Sequence, residues 1–150
     1  MTERPTRGES VLILLVEDDP DHVELIRRGL QDNHVANRIH HVADGEAALD
    51  YLFRRGEYAD PRESPRPHQI LLDLRLPKID GLDVLSAIKA DEALRYIPVV
   101  VLTTSEAESD IARAYENNTN SYLVKPVDFA AFAQLMRDLG FYWLVWNRQP

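Results

Sequence analysis

Val11 to Val16 is an uninterrupted apolar run, too short for a core helix and of the length expected for a strand buried on both faces. It ends at Glu17. Asp19-Pro20 then supplies a helix N-cap with proline at the first helical position, and Val23, Ile26 and Leu30 carry an apolar stripe through the following turns. Arg38 to Val42 reads as a weaker, more exposed second strand, after which Asp44-Gly45 opens a helix with Ala48, Leu49, Leu52 and Phe53 facing inward. Between Gly56 and Pro67 the prolines Pro61, Pro65 and Pro67 crowd into a stretch that neither a helix nor a central strand tolerates, so a loop is predicted.

Ile70 to Leu72 forms a third apolar strand ending at Asp73, and LRLPKIDG turns the chain into a helix carrying Val84, Leu85 and Ile88. Pro98 introduces VVVLTTS, the strongest β-branched run and therefore a central strand. A less apolar helix is expected from about Glu106 to Glu116, then a fifth strand from Ser121 to Val124 ending at Lys125-Pro126. The last helix starts near Asp128, with Phe129, Phe132, Leu135, Met136 and Leu139 inward. Five strands alternating with five helices imply a doubly wound α/β fold, a parallel sheet covered on both faces. In such sheets the working site lies outside the carboxyl ends of the strands.

Composition narrows the function. The chain of 150 residues has the length of one domain, and no apolar run approaches the roughly 20 residues a bilayer needs, so no membrane role is expected. A net charge of -8, from 25 acids against 17 bases, leaves no basic footprint for nucleic acid. The absence of cysteine excludes disulfides, thiolate zinc sites, iron-sulfur clusters and cysteine nucleophiles. Residues 1–10 are a polar lead without the apolar stretch of a secretory signal, so the cytoplasm is the expected compartment and residues 11–150 the folded unit.

The predicted strand ends carry Glu17, Asp18 and Asp19 after strand one, Asp73 after strand three, Thr103 and Thr104 after strand four and Lys125 after strand five. Taken singly, each has an ordinary role as a cap, a backbone partner or a solvated charge. Together they converge. Carboxylates gathered at one sheet edge repel each other and require shared protons or a cation, and their oxygens suit a hard divalent ion, with Mg2+ fitting best. Mg2+ takes only one or two protein carboxylates with phosphate oxygens, which leaves Asp73 as the natural nucleophile toward phosphorus. Metal, Thr103 and Lys125 would neutralise charge on the equatorial oxygens.

The segments VEDD at Val16 to Asp19, LLDLRLPKIDG at Leu71 to Gly81, VVVLTTS at Val99 to Ser105 and YLVKP at Tyr122 to Pro126 resemble the receiver domain of two-component response regulators. The order and separations match over about residues 11–140. The resemblance implies a flavodoxin-like fold with strand order 2-1-3-4-5. It makes Asp73 the phosphoacceptor, Asp18 a direct Mg2+ ligand, Glu17 an acid reaching the metal through water, and the Arg75 carbonyl a further ligand. Thr103 would move its hydroxyl onto the phosphoryl group, Lys125 would pair with it, and Tyr122 would turn inward behind Thr103 as the aromatic switch. Pro126 is similar to a family proline that is often cis. Such a protein accepts a phosphoryl group from a histidine kinase and signals through altered protein binding; it is a phosphoacceptor, not an enzyme.

Two departures stand out. Glu17 takes a position where Asp is commoner in the family, which should tune metal binding without abolishing it, and Arg75 brings a bulky cation beside the route of the hydrolytic water, where it would shield the phosphoryl group or steer solvent. The receiver-like region leaves no room for an effector, so output by binding is expected. The late segment GFYWLVWNRQP holds both tryptophans on an extended last helix, either packed back on the domain or forming a dimer or partner surface. GEY with the SPRP loop, LTTS and FYWL resemble the small response regulators associated with bacterial and cyanobacterial phytochrome kinases. This implies a bacteriophytochrome as partner kinase and a homodimer through the fourth helix, fifth strand and fifth helix.

Rival readings fit less well. An aspartyl-nucleophile phosphatase needs an acid two residues after the nucleophile, where Arg75 stands. A nucleotide or flavin module wants a Gly-rich phosphate loop after strand one, where EDDPD is acidic. A receiver-like scaffold that is never phosphorylated would not need a complete site. The histidines His22, His34, His40, His41 and His68 show no metal-ligand spacing and read as surface or packing residues.

Overall fold

The structure, a computed structural model, describes residues 11–31, 37–104 and 120–147, with side chains for residues 11–30, 38–104 and 121–138. Strands β1 (Val11–Val16), β2 (Asn37–Val42), β3 (Gln69–Asp73), β4 (Val99–Thr103) and β5 (Asn120–Val124) form one parallel sheet. Its order is β2-β1-β3-β4-β5, as the resemblance implies. Helices α1 (Pro20–Gln31), α2 (Gly45–Phe53), α3 (Gly81–Ala90) and a C-terminal helix (Phe129–Asn147) cover it. The helix expected from Glu106 to Glu116 lies outside the described residues.

Local chemistry starts the helices where the sequence places them. The Asp19 carboxylate accepts from the Asp21 N–H at 2.9 Å, Asp44 from Ala47 at 2.7 Å and Asp128 from Ala131 at 2.9 Å, each satisfying a first-turn donor. The proline-rich stretch contains a short 3-10 helix, Gly56–Tyr58, and is tied down by the Tyr51 hydroxyl, which donates to the Pro65 carbonyl at 2.6 Å.

Strand alternation divides the core in two. Leu14, Val16, Ile70, Leu72, Val99 and Val101 meet Leu52 of α2 and Val84, Leu85 and Ile88 of α3. On the opposite face Ile13, Leu15, Leu71, Val100 and Leu102 meet Ile26 and Leu30 of α1 and Phe132 and Met136 of the C-terminal helix. Each such side chain contributes about 1.5–3 kcal/mol on full burial, which is why β1, β3 and β4 read as continuous apolar runs.

Two residues predicted to face inward do not. Phe53, the last residue of α2, is 36% exposed and lies beneath the Arg55 guanidinium, 5.4 Å from its ring. Phe129, the first residue of the C-terminal helix, is 67% exposed. Both stand at helix ends, where the apolar stripe runs past the sheet it covers. Among the described residues no helix is long and apolar enough to cross a membrane.

Candidate functional site

The register aligns Val16 with Leu72, Asp73 with Leu102 and Thr103 with Val124, so the strands carrying the candidate residues finish nearly level. Continuing the alternation past the strand ends places Glu17 after Leu15, Asp73 after Leu71 and Lys125 after Leu123. All three therefore fall on the face covered by α1 and the C-terminal helix. Gly81 lets α3 begin directly against Asp73, because a Cβ there would lie 2.5 Å from the Asp73 carbonyl oxygen.

Lys125 Nζ donates to Glu17 Oε1 at 2.7 Å and lies 3.4 Å from Asp73 Oδ2. Glu17, Asp73 and Lys125 are buried, while Asp18 is exposed. Carboxylate oxygens of Glu17, Asp18 and Asp73 lie within 4.8 Å of one another. The Arg75 N–H donates to Asp73 Oδ1 at 3.3 Å, while its side chain is exposed. Thr103 is fully buried at the end of β4, and its carbonyl accepts from the Lys125 N–H at 2.6 Å. Tyr122, in register with Val101, is partly buried against the core cluster of α2 and α3. Asp19 and Thr104 serve elsewhere: the first caps α1 and the second is exposed. Among the described residues no peptide bond is cis, so Lys125-Pro126 is trans, contrary to the expectation for Pro126. The main-chain bond to Thr103 and the pairing with Glu17 hold Lys125 in place.

The donor set fits a hard divalent cation. Glu17 Oε2 is buried and has no hydrogen-bond partner among the described residues, a costly condition that an oxygen-seeking ion removes. Burial, reinforced by the neighbouring Asp73 and opposed by Lys125, raises the pKa of Glu17 to about 9. Without a cation the pocket therefore eases its carboxylate repulsion by holding a proton.

Two histidines that read as ordinary packing residues belong to this site. His22 Nδ1 lies 2.8 Å from Glu17 Oε1 and 3.1 Å from Lys125 Nζ, and His41 Nε2 donates to the Glu17 carbonyl at 2.7 Å. The signal for His22 is its place three residues after Asp19, in the first turn of a helix that starts at the acidic strand end. His41 offers no comparable signal.

A doubly wound sheet with three acids, a threonine and a lysine at its carboxyl edge defines a response regulator receiver. Residues 13–137 match the response regulator receiver domain family, and the chain belongs to it. It is 50% identical over 139 residues to the probable methanogenesis regulatory protein FilR2 of Methanothrix harundinacea, covering 93% of this chain and 87% of that protein. Identity to the response regulator Rcp1 of Synechocystis is 41% over 133 residues, 89% of this chain and 88% of Rcp1. The Mn(2+)-bound crystal structure of Rcp1 has a TM-score of 0.81 to this structure at 38% identity, covering 89% of this chain and 94% of that one. The phosphorylated cyanobacterial phytochrome response regulator RcpA also has a TM-score of 0.81, at 40% identity, covering 91% of this chain and 95% of its own. The chain is thus a homologue of the phytochrome response regulators, as the GEY, SPRP and FYWL segments imply. Its C-terminal helix runs to Asn147, past residue 137 where the family match ends.

Proposed function

We propose that Asp73 accepts a phosphoryl group from a histidine kinase and that the protein signals through the change this imposes on its binding surface. The observation that carries this reading is the setting of Asp73. It is buried, one oxygen accepts the Arg75 N–H, the other faces Lys125 Nζ, and two further carboxylates converge beside it. An oxygen of Asp73 attacks phosphorus as the bond from phosphorus to the donor breaks. Asp18, Asp73 and the Arg75 carbonyl would hold Mg2+ directly and Glu17 through water, and the bound ion would neutralise charge on the phosphoryl oxygens.

Lys125 then exchanges Glu17 for a phosphoryl oxygen, the Thr103 hydroxyl donates to another, and Tyr122 follows Thr103 inward. Hydrogen bonds to charged groups contribute about 1.5–3 kcal/mol each. The protein is a phosphoacceptor that assists its own phosphorylation and dephosphorylation, not an enzyme with a separate substrate. We place it in the cytoplasm, with residues 11–150 as the receiver unit and a protein, not nucleic acid, as its target.

The likeness to phytochrome response regulators supports a bacteriophytochrome as the kinase. Val124, Val127 and Phe129 are exposed where β5 meets the C-terminal helix, which supports a homodimer through the fourth helix, fifth strand and last helix. A phosphotransfer assay from candidate phytochrome kinases tests the partner: transfer to the parent and none to Asp73→Asn is expected. A protein that stays monomeric by light scattering, with and without beryllofluoride, would contradict the dimer.

A further inference from the structure

Lys125 has three hydrogens to give and no lone pair. Glu17 Oε1 and Asp73 Oδ2 face it at 2.7 and 3.4 Å, and His22 Nδ1, the nitrogen that also lies against Glu17, is 3.1 Å away. Phosphorylation of Asp73 requires this lysine to turn to a phosphoryl oxygen, and the role assigned to His22 rests on that reading of Asp73. Glu17 Oε1 then loses its ammonium donor while remaining in a buried position. The one other side chain shown against that oxygen among the described residues is His22, at 2.8 Å.

The ring is built in. His22 packs against Phe132, with ring centroids 5.1 Å apart at 49°, and its Nε2 lies 3.5 Å from Asp19 Oδ2. A neutral imidazole with its proton on Nε2 presents a lone pair at Nδ1 to Lys125; with the proton on Nδ1 it donates to Glu17. Only the tautomer with the proton on Nδ1 holds Glu17, and at 2.8 Å it does so beside Lys125 without the ring moving. The remaining Glu17 oxygen, Oε2, is the buried one without a partner.

We propose that His22 is a positioning residue of the cation pocket: it holds Oε1 of Glu17 so that Oε2 is left to face the ion. It keeps that hold when Lys125 leaves for the phosphoryl group. Groups that orient a metal-binding carboxylate in this way typically govern affinity by about 10- to 100-fold.

The test is the Mn2+ dissociation constant, read as free Mn2+ by electron paramagnetic resonance, for the parent, His22→Leu, His22→Asn and Asp18→Ala. The asparagine amide superposes on the Nδ1 edge of the ring and keeps a polar partner for Oε1, while leucine keeps only the packing on Phe132. His22→Leu should weaken Mn2+ by about 10-fold or more, and His22→Asn should recover to within about threefold of the parent. His22→Leu binding within about twofold of the parent, with Asp18→Ala defective, overturns the role of His22 and leaves the pocket standing. Equal losses in the leucine and asparagine variants also overturn it, since packing alone would then be at work. No Mn2+ binding by the parent overturns the proposed function itself.

Discussion

Nζ of Lys125 donates to Oε1 of Glu17 at 2.7 Å, across 108 residues of chain, and neither side chain is more than 2% exposed. The pair gives each buried charge an opposite partner. It also keeps the lysine one short movement from the oxygen that the proposed chemistry uses, because the same Nζ is 3.4 Å from Asp73 Oδ2.

The pair gives the pocket a pH dependence. Glu17 is raised from 4.5 to about 9, first by burial and then by Asp73, so between those values the folded state holds more protons than the unfolded state. Stability of the metal-free protein should therefore fall as pH rises through that window. Melting temperatures in chelator should show the fall in the parent and its loss in Glu17→Gln. Mg2+ displaces the proton, so its affinity should climb from about pH 6 to about pH 8; an affinity flat with pH would contradict this.

Gly29 sits inside α1, where propensity alone makes Ala better by about 1 kcal/mol. A Cβ there would lie 2.3 Å from Met136 Cβ in the C-terminal helix. Overpacking costs about 1–3 kcal/mol, and a backbone-borne Cβ against another Cβ has little room to yield. Gly29→Ala should lower the urea midpoint without changing the slope. A raised midpoint would show that the two helices separate easily.

Tyr51 is 1% exposed and spends its hydroxyl on the Pro65 carbonyl. Tyr51→Phe keeps the ring's tilted contact with His40 and its edge-on contact with Tyr58 but leaves that carbonyl without its donor, at about 1–3 kcal/mol. The loss should concentrate in the proline-rich loop, seen as faster proteolytic nicking between Gly56 and Pro67. Unchanged nicking would assign the loop's order to the Ser64 and Arg66 contacts instead.

Arg75 donates its main-chain N–H to Asp73 Oδ1, and its side chain is exposed. We hypothesise that this cation sets the phosphoryl lifetime, so Arg75→Asn should change autodephosphorylation by more than about twofold, or about 0.4 kcal/mol. A smaller change would leave only the main-chain contact with a role.

Strands β1, β3 and β4 are legible because a parallel sheet buried on both faces demands apolar runs, and the register brings the residues at their ends to one edge. Phe53 and Phe129 are misplaced by the same pattern because periodicity does not say where a helix outruns its sheet. The histidines escape it for a different reason. His22 and His41 act by touching Glu17 from α1 and β2, and His68 accepts the Leu12 N–H at 2.9 Å in place of a ladder carbonyl. Such partnerships arise from tertiary proximity, and no local spacing encodes them.

Intact-mass spectrometry after incubation with acetyl phosphate and Mg2+ tests the central claim most directly. The parent should gain the mass of one phosphoryl group, lose it on standing, and fail to gain it when chelator is present or when Asp73 is replaced by Asn. A parent that stays unmodified, or an Asp73→Asn variant modified as readily as the parent, would contradict the account.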